Sequence, residues 1–446
     1  MQHVILSYGM GVESTAILLR WIYEPSTRPC SLGDLLVITA QTGDEYEDTR
    51  RDVEAHILPL LREHGIRFVQ IARRGHLEAD GIAVLADDRN PRRLHTEGSH
   101  KLSDELRSVG TVPQFGGEHR CSLKFKAFVI ETWLRDYFPH PFRHGFGYNA
   151  DEPKRAAKSQ AADVKRVAFG FNAEEGKRMT RTLKYDRADR QSFFPLIEWG
   201  WTREHCLEYI ESRLGIRWLK SACVYCPFNR LTDEAIERHK QHPQQVASAL
   251  ALELVSLTLN PRGTLYKEQS LRERTEAGGN QEALRLFEDR LNSEPWRIYR
   301  VRRVYAAKKD EAGHDQPDRK GNAMRAVEHA SEILSMSQAK ELLQQRSNDA
   351  GISLEQKRGI SYLYLWQTGP TYPTREEYYV AGPAVVQEKT RYGLDWFEEQ
   401  WEPRQAMLFA EDKTPNTGAS ATSDTGKPVE MLRARESSRL RSVTQP

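Results

Sequence analysis

Short apolar runs alternate with segments of helical period along the first 230 positions of this 446-residue chain. Val4-Ile5-Leu6 reads as a buried strand, and after a glycine-bearing loop the segment from about Glu13 to Tyr23 reads as a helix. Leu35–Thr39 is a second strand. It leads through Thr42-Gly43 into a helix on which Val53, Ile57, Leu60 and Leu61 recur at helical spacing. Phe68–Ile71 is a third strand, followed by a basic, irregular stretch from about Arg73 to Gly117. Phe125, Val129 and Trp133 share one face of a further helix, and Phe142–Tyr148 and Val167–Phe171 have strand character. Thr202 stands where it caps a helix running to Arg213. Strands alternating with helices predict an α/β fold with a largely parallel sheet of five strands between helices.

The pattern changes after residue 230. From Leu231 to Trp401 it predicts a mainly α-helical accessory domain with one strand, Trp296–Tyr305. Residues 402–446 read as a disordered tail, because Asp412–Pro446 has almost no large apolar residues with which to offset its ordering entropy. The expected organisation is therefore 1–230, 231–401 and 402–446.

Composition narrows the function classes. No apolar run approaches the roughly 20 residues of a membrane span, and Met1-Gln2-His3-Val4 lacks the parts of a signal peptide. The expectation is a cytoplasmic protein with no membrane partner. Sixty-five Lys and Arg against 63 Asp and Glu give a net charge of +2, which argues against a surface that coats nucleic acid throughout. The charge is nevertheless localised: residues 154–190 hold eleven Lys/Arg against five acids, an excess of six, leaving about −4 for the rest. Trp296-Arg-Ile-Tyr-Arg-Val-Arg-Arg-Val-Tyr305 interleaves aromatics with arginines, which suits nucleic-acid stacking and equally suits a half-buried strand with an arginine-covered face.

The most specific chemistry lies in Ser7-Tyr-Gly9-Met-Gly11-Val-Glu13-Ser14-Thr15, placed between a buried strand and a helix N-terminus. Glycines admit a phosphate close to the backbone, hydroxyls donate to it, and the helix dipole favours an anion. The loop is neither a Walker A motif nor a Gly-x-Gly-x-x-Gly fingerprint; a tight turn is the alternative. Five cysteines at uneven spacing suggest metal or redox chemistry more than a disulfide framework. Cys223-Val-Tyr-Cys226-Pro227 has metal-ligand spacing and suits a zinc half-site, a redox pair or an iron–sulfur cluster. Phe146–Arg155 and Phe169–Arg178 are near-repeats, read either as two similar strand-to-turn corners or as a shared ligand feature.

The glycine loop resembles the PP-loop of the ATP pyrophosphatase superfamily, in the form found in proteins similar to phosphoadenosine phosphosulfate (PAPS) reductase. Glu13 stands where Asp is more usual. Further matches follow in family order: Thr42-Gly43-Asp44-Glu45, Arg120-Cys121-x-x-Lys124, the Glu152/Arg155 or Glu175/Arg178 corner, Pro195–Trp201 and Ser221-Ala-Cys223-x-x-Cys226. The resemblance covers about Met1 to Arg230 and implies an adenine nucleotide α-hydrolase-like fold. It implies nucleotide binding by Ser7, Gly9, Gly11, Glu13, Ser14, Thr15 and Gly43, with Mg²⁺. Lys124, Arg155 and Arg178 are candidates to neutralise the departing pyrophosphate of ATP, beside Glu152 and Glu175. It also implies a metal site of Cys121, Cys223 and Cys226; the fourth ligand comes from elsewhere, with Cys206 and His119 the available candidates, or the site is open. A 4Fe–4S cluster is the preferred occupant and Zn²⁺ the alternative. No cysteine follows Cys226, so the thiol mechanism of true PAPS reductases is not expected. The implied activity is adenylation of an acceptor, for sulfur transfer or nucleic-acid modification in bacterial or phage defence or beside CRISPR loci. Gln405-Ala-Met-Leu408-Phe409 resembles the short motif with which bacterial proteins dock on the DNA sliding clamp; an apolar end piece packing on its own domain is the alternative.

Overall fold

The structure, a computed structural model, describes residues 3–113, 120–138, 142–146, 190–229, 232–266, 269–390 and 401. The chain divides into two compact units, Met1–Glu105 with Pro113–Val246, and Leu106–Val112 with Ala247–Pro446. No helix among the described residues is long and apolar enough to cross a membrane.

The first unit is built on strands β1 (His3–Ser7), β2 (Leu35–Gln41), β3 (Arg67–Arg73), β4 (Ile82–Asp88), β5 (Phe142–Gly145) and β6 (Arg190–Phe193), in the order β4-β3-β2-β1-β5-β6. Five are parallel, and β4 runs antiparallel to β3 at the edge. The apolar runs in β1 and β2 follow from burial on both faces. With a side-chain period of two, Val4, Leu6, Leu35 and Val37 enter one core, while Ile5, Leu36 and Ile38 enter the other.

The helices of this unit are α1 (Val12–Tyr23), α2 (Glu47–Asp52), α3 (Leu58–Glu63), α4 (Leu102–Val109), α5 (Arg120–Ser122) and α6 (Phe128–Tyr137), followed by α7 (Pro195–Glu198), α8 (Arg203–Leu214) and α9 (Asp233–Gln241); α10 (Pro243–Leu259) belongs for most of its length to the second unit. A π turn, Val53–Ile57, joins α2 to α3, and a second, Leu123–Ala127, joins α5 to α6. Val129, Trp133 and Leu134 of α6 fill the second core. Thr202 caps α8 through its hydroxyl, as expected, and Gly215 ends that helix in the left-handed region.

Two expectations are corrected. The stretch after Arg73 is not irregular: it holds β4 and α4. Its strand is an edge strand with Val84 exposed, so its apolar alternation is weak. Residues 231–401 are not mainly helical. Besides α11 (Leu271–Ala277), α12 (Gln281–Ser293) and α13 (Met336–Ala350), the second unit contains β7 (Trp296–Lys309), β8 (Asp315–His329), β9 (Glu355–Lys357), β10 (Ile360–Gln367), β11 (Thr374–Pro383) and β12 (Lys389–Thr390). They form an antiparallel sheet in the order β12-β8-β7-β11-β10-β9. Its core packs Tyr299, Val301, Tyr362 and Tyr378 with Val255, Leu257 and Leu259 of α10. Charged residues along β8 hide its period, since that strand is mostly exposed.

Candidate functional site

The glycine loop leaves the carboxyl end of β1, the strand at which the sheet changes direction: β2 lies on one side and β5 on the other. In parallel α/β sheets ligands bind at such a point, outside the strand ends. Tyr8 and Met10 point inward and are almost fully buried, which turns Gly9 outward. Tyr8 N donates to Ile38 O at 2.8 Å, and Trp218 Nε1 donates to Met10 O at 3.0 Å. Met10 sits at φ +60°, so the loop is held in a left-handed kink by buried contacts.

Gly11 is the N-cap of α1, in extended conformation, and no side chain caps this helix. The Ser14 hydroxyl donates to Gly11 O at 3.3 Å. Thr15 is fully buried, with its hydroxyl 3.3 Å from Tyr8 OH, so it shapes the loop from beneath. Burial pushes the Tyr8 phenol well above its ordinary pKa, only partly offset by Thr15. Ser7 Oγ lies 2.8 Å from His144 Nε2 on β5, and Glu13 is ion-paired with Arg203 at the start of α8. Sequence reasoning missed both partners, which lie 137 and 190 residues away.

A second loop, Thr42–Glu45, follows β2. Gly43 has φ +90°, and a Cβ there would lie 2.7 Å from the Lys101 side chain, so only glycine fits. Asp44 Oδ2 accepts from Ser103 N at 2.9 Å and from Tyr225 OH at 2.6 Å. Glu45 is buried and accepts from Ala222 N, Ser221 Oγ and Thr49 Oγ1. Burial raises the pKa of both carboxyls. Glu45 and Cys223 form a β-bridge, and Ser221 Oγ also lies 2.8 Å from Gly9 O. The structure thus brings three separated sequence motifs together: the glycine loop, Thr42–Glu45 and Ser221–Cys226.

Cys223 and Cys226 flank a turn closed by Cys226 N donating to Cys223 O at 2.9 Å. Thr42 Oγ1 stands 3.3 Å from Cys223 Sγ. Burial pushes both thiols up; Asp44 and Glu45 add to this at Cys223, and the charge of Cys121 adds to it at Cys226. Among the described residues no group of three sulfur donors lies within 4.8 Å of one another. A mononuclear tetrahedral zinc site needs S–S edges of about 3.8 Å from its 2.3 Å bonds, so these thiols do not form one as placed. Cys206 belongs to the apolar core containing Ile17, Ile210 and Trp218, where it packs as a small hydrophobe.

Lys124 Nζ is paired with Glu105 Oε1 at 2.8 Å. Burial raises the Glu105 pKa, but Lys124, His100 and His76 together outweigh it, so the carboxyl stays ionised. His119, Glu152, Arg155, Glu175 and Arg178, the basic segment 154–189, the near-repeats beyond Phe146, the Gln405–Phe409 motif and the tail lie outside the described residues. In the second unit β7 is an interior strand. Trp296, Tyr299 and Tyr305 are buried, while Arg300 and Arg302 pair with Glu328, Arg300 also with Glu377, and Arg303 with Glu376. These side chains hold the sheet together.

No protein-family model matches the chain, and no curated protein or solved structure matches it either. The established class is an α/β protein with a six-stranded, mostly parallel sheet flanked by helices, together with an antiparallel sheet unit.

Proposed function

We propose that the chain is a PP-loop ATP pyrophosphatase of the PAPS reductase-like type, which binds ATP with Mg²⁺ and adenylates an acceptor with release of pyrophosphate. The observation that carries this reading is the outward-facing Gly9 beside the side-chain-uncapped N-terminus of α1, at the point where the sheet changes direction. Ser7, Gly9, Gly11 and Ser14 would face the phosphates, with Ser7 positioned by His144. Thr15 and Gly43 act as shape-setting residues, and Glu13 orients Arg203 toward the same helix end. Mg²⁺, when bound, neutralises the departing pyrophosphate. Sulfur transfer or nucleic-acid modification in a defence or CRISPR-accessory setting is the proposed use of the activated acceptor.

Pyrophosphate release from Mg·ATP tests the reading. Ser14→Ala is expected to lower release about 10- to 100-fold, the worth of one hydrogen bond to a charged group. ATP binding without release, across protein, RNA and DNA acceptors, would favour a non-catalytic nucleotide-sensing or nucleic-acid-binding module instead.

For the cysteines the proposed occupant is a 4Fe–4S cluster on Cys121, Cys223 and Cys226, which would supply a place for exogenous sulfur to bind. Anaerobically purified protein is expected to carry about four irons per chain with matching acid-labile sulfide. Colourless protein with stoichiometric zinc that is lost on replacing Cys223 would overturn this. Nucleic-acid binding through residues 154–190 is expected to weaken steeply with salt. Clamp docking through Gln405–Phe409 is expected to vanish in a Leu408→Ala/Phe409→Ala variant.

A further inference from the structure

The stretch from the end of β3, past β4, to the first turn of α4 brings three potential metal ligands together. His76 Nδ1 lies 3.7 Å and His100 Nε2 3.4 Å from the same oxygen, Glu105 Oε2, and the three donor atoms all lie within 4.8 Å of one another. Tetrahedral bonds of 2.0–2.1 Å from zinc to nitrogen and oxygen give donor–donor edges of about 3.3–3.4 Å. The two measured edges are within a few tenths of an ångström of that value.

Each donor is also held by a different neighbour. Arg73, fully buried at the end of β3, donates Nε to Gly75 O at 3.0 Å and Nη2 to His76 O at 2.7 Å, which fixes the backbone of the first ligand. Phe125 stacks on the His100 ring at 5.6 Å with planes 21° apart, fixing the second. Lys124 takes Glu105 Oε1, so only Oε2 faces the imidazoles and the carboxylate presents a single donor. The guanidinium of Arg73 lies over the Phe125 ring as well, 5.5 Å from its centre, which couples the supports of the two histidines. Outer contacts of this kind are what orient metal ligands in built sites. Half of the His76 side chain is exposed, so the group opens to solvent on one side.

From this geometry we infer that His76, His100 and Glu105 form an open site for a borderline divalent transition metal, with Zn²⁺ as the best-fitting ion. Two imidazoles and one carboxylate suit Zn²⁺ or Fe²⁺ and leave a coordination position for water or for an oxygen of a substrate. Hard Mg²⁺ would instead call for an oxygen-rich set. Its three ligands include none of the cysteines and none of the residues assigned to ATP; Lys124, a candidate for the departing pyrophosphate, only supports Glu105 from outside, and zinc affinity is read without nucleotide, so the site stands or falls separately from the nucleotide reading.

The test uses the full chain, stripped of metal and kept reduced, titrated with Zn²⁺ against a chromophoric chelator. A Cys121→Ser/Cys223→Ser/Cys226→Ser variant is expected to retain one zinc equivalent. Adding His76→Ala and His100→Ala to it should weaken that zinc at least about 100-fold, since losing ligands costs no less than losing their outer supports. A cysteine-free site that binds no zinc, or one whose affinity ignores both histidines, overturns the inference. Cobalt loading of the otherwise unaltered chain keeps the test open if the cysteine variant fails to fold. A visible d–d band that disappears in His100→Ala supports the site, and a cobalt spectrum identical in the parent and in His100→Ala overturns it.

Discussion

A Gly9→Val chain is expected to melt where the parent melts and to bind Mg·ATP at least about 100-fold more weakly, a loss of roughly 2.7 kcal/mol. The fold should tolerate the change because Gly9 lies outside the left-handed region and a Cβ built on it meets nothing within 4 Å. Its neighbours Tyr8 and Met10 carry the buried contacts of the loop, so the valine side chain points only into the open space before α1. That is the space a phosphate must enter to reach the backbone amides, and a branched side chain there holds it away. Calorimetric titration together with a thermal melt separates the outcomes. Parent-like ATP affinity would remove the loop from nucleotide binding, and a lowered melting temperature would mean that the residue serves packing.

Asp48→Ala is expected to cost the first unit about 3–5 kcal/mol, the penalty for stranding a buried charge. Asp48 accepts Nε of Arg238 at 2.8 Å and lies 3.0 Å from His242 Nε2, while the Arg238 guanidinium sits 3.8 Å from the centre of the Tyr46 ring. Without the carboxylate, Arg238 keeps Lys220 O and the Thr49 hydroxyl, neither of them charged. Burial acts to raise the Asp48 pKa, but the His242 and Arg238 contacts overcome it and hold the carboxyl well below the usual range. Its contribution is therefore fully present above the unfolded value near 3.9 and disappears as pH falls through the lower folded value. Amide exchange of β1 and β2, measured at pH 7 and again in acid, should show a gap between parent and variant that closes only in acid. A gap under about 1 kcal/mol at pH 7 would reduce the network to the worth of a surface ion pair.

What the sequence discloses here follows from how each feature is built. β1, β2 and α1 were legible because strands buried on both faces are apolar without interruption, and because Gly9 and Gly11 mark the turn from β1 into α1. β10 carried a signal of its own in Ile360-Ser-Tyr-Leu-Tyr-Leu-Trp366, a run of aromatic and aliphatic residues ahead of Gly369-Pro370. Helix-forming Glu, Lys and Arg in the surrounding segments outweighed it in a reading by composition. Ser7 with His144, and Glu13 with Arg203, were not legible, since each pair is made by bringing distant segments together around the carboxyl end of β1 and the start of α1. The His76, His100 and Glu105 group has no fixed spacing either; it is assembled by the segments that follow β3 and precede α4, and by the start of α4, which is clamped on Thr42 and Asp44.

Ser221 has one proton and two acceptors in reach, Gly9 O and, at 3.0 Å, Glu45 Oε2. A hydroxyl donates once. When Glu45 is ionised it competes with the Gly9 carbonyl for that proton. When Glu45 is neutral its own proton can turn toward the serine oxygen, and the hydroxyl is released to Gly9. The tip of the glycine loop and the carboxyl after β2 therefore draw on a single hydrogen, so the charge at one strand end is coupled to the hydrogen bonding of the next.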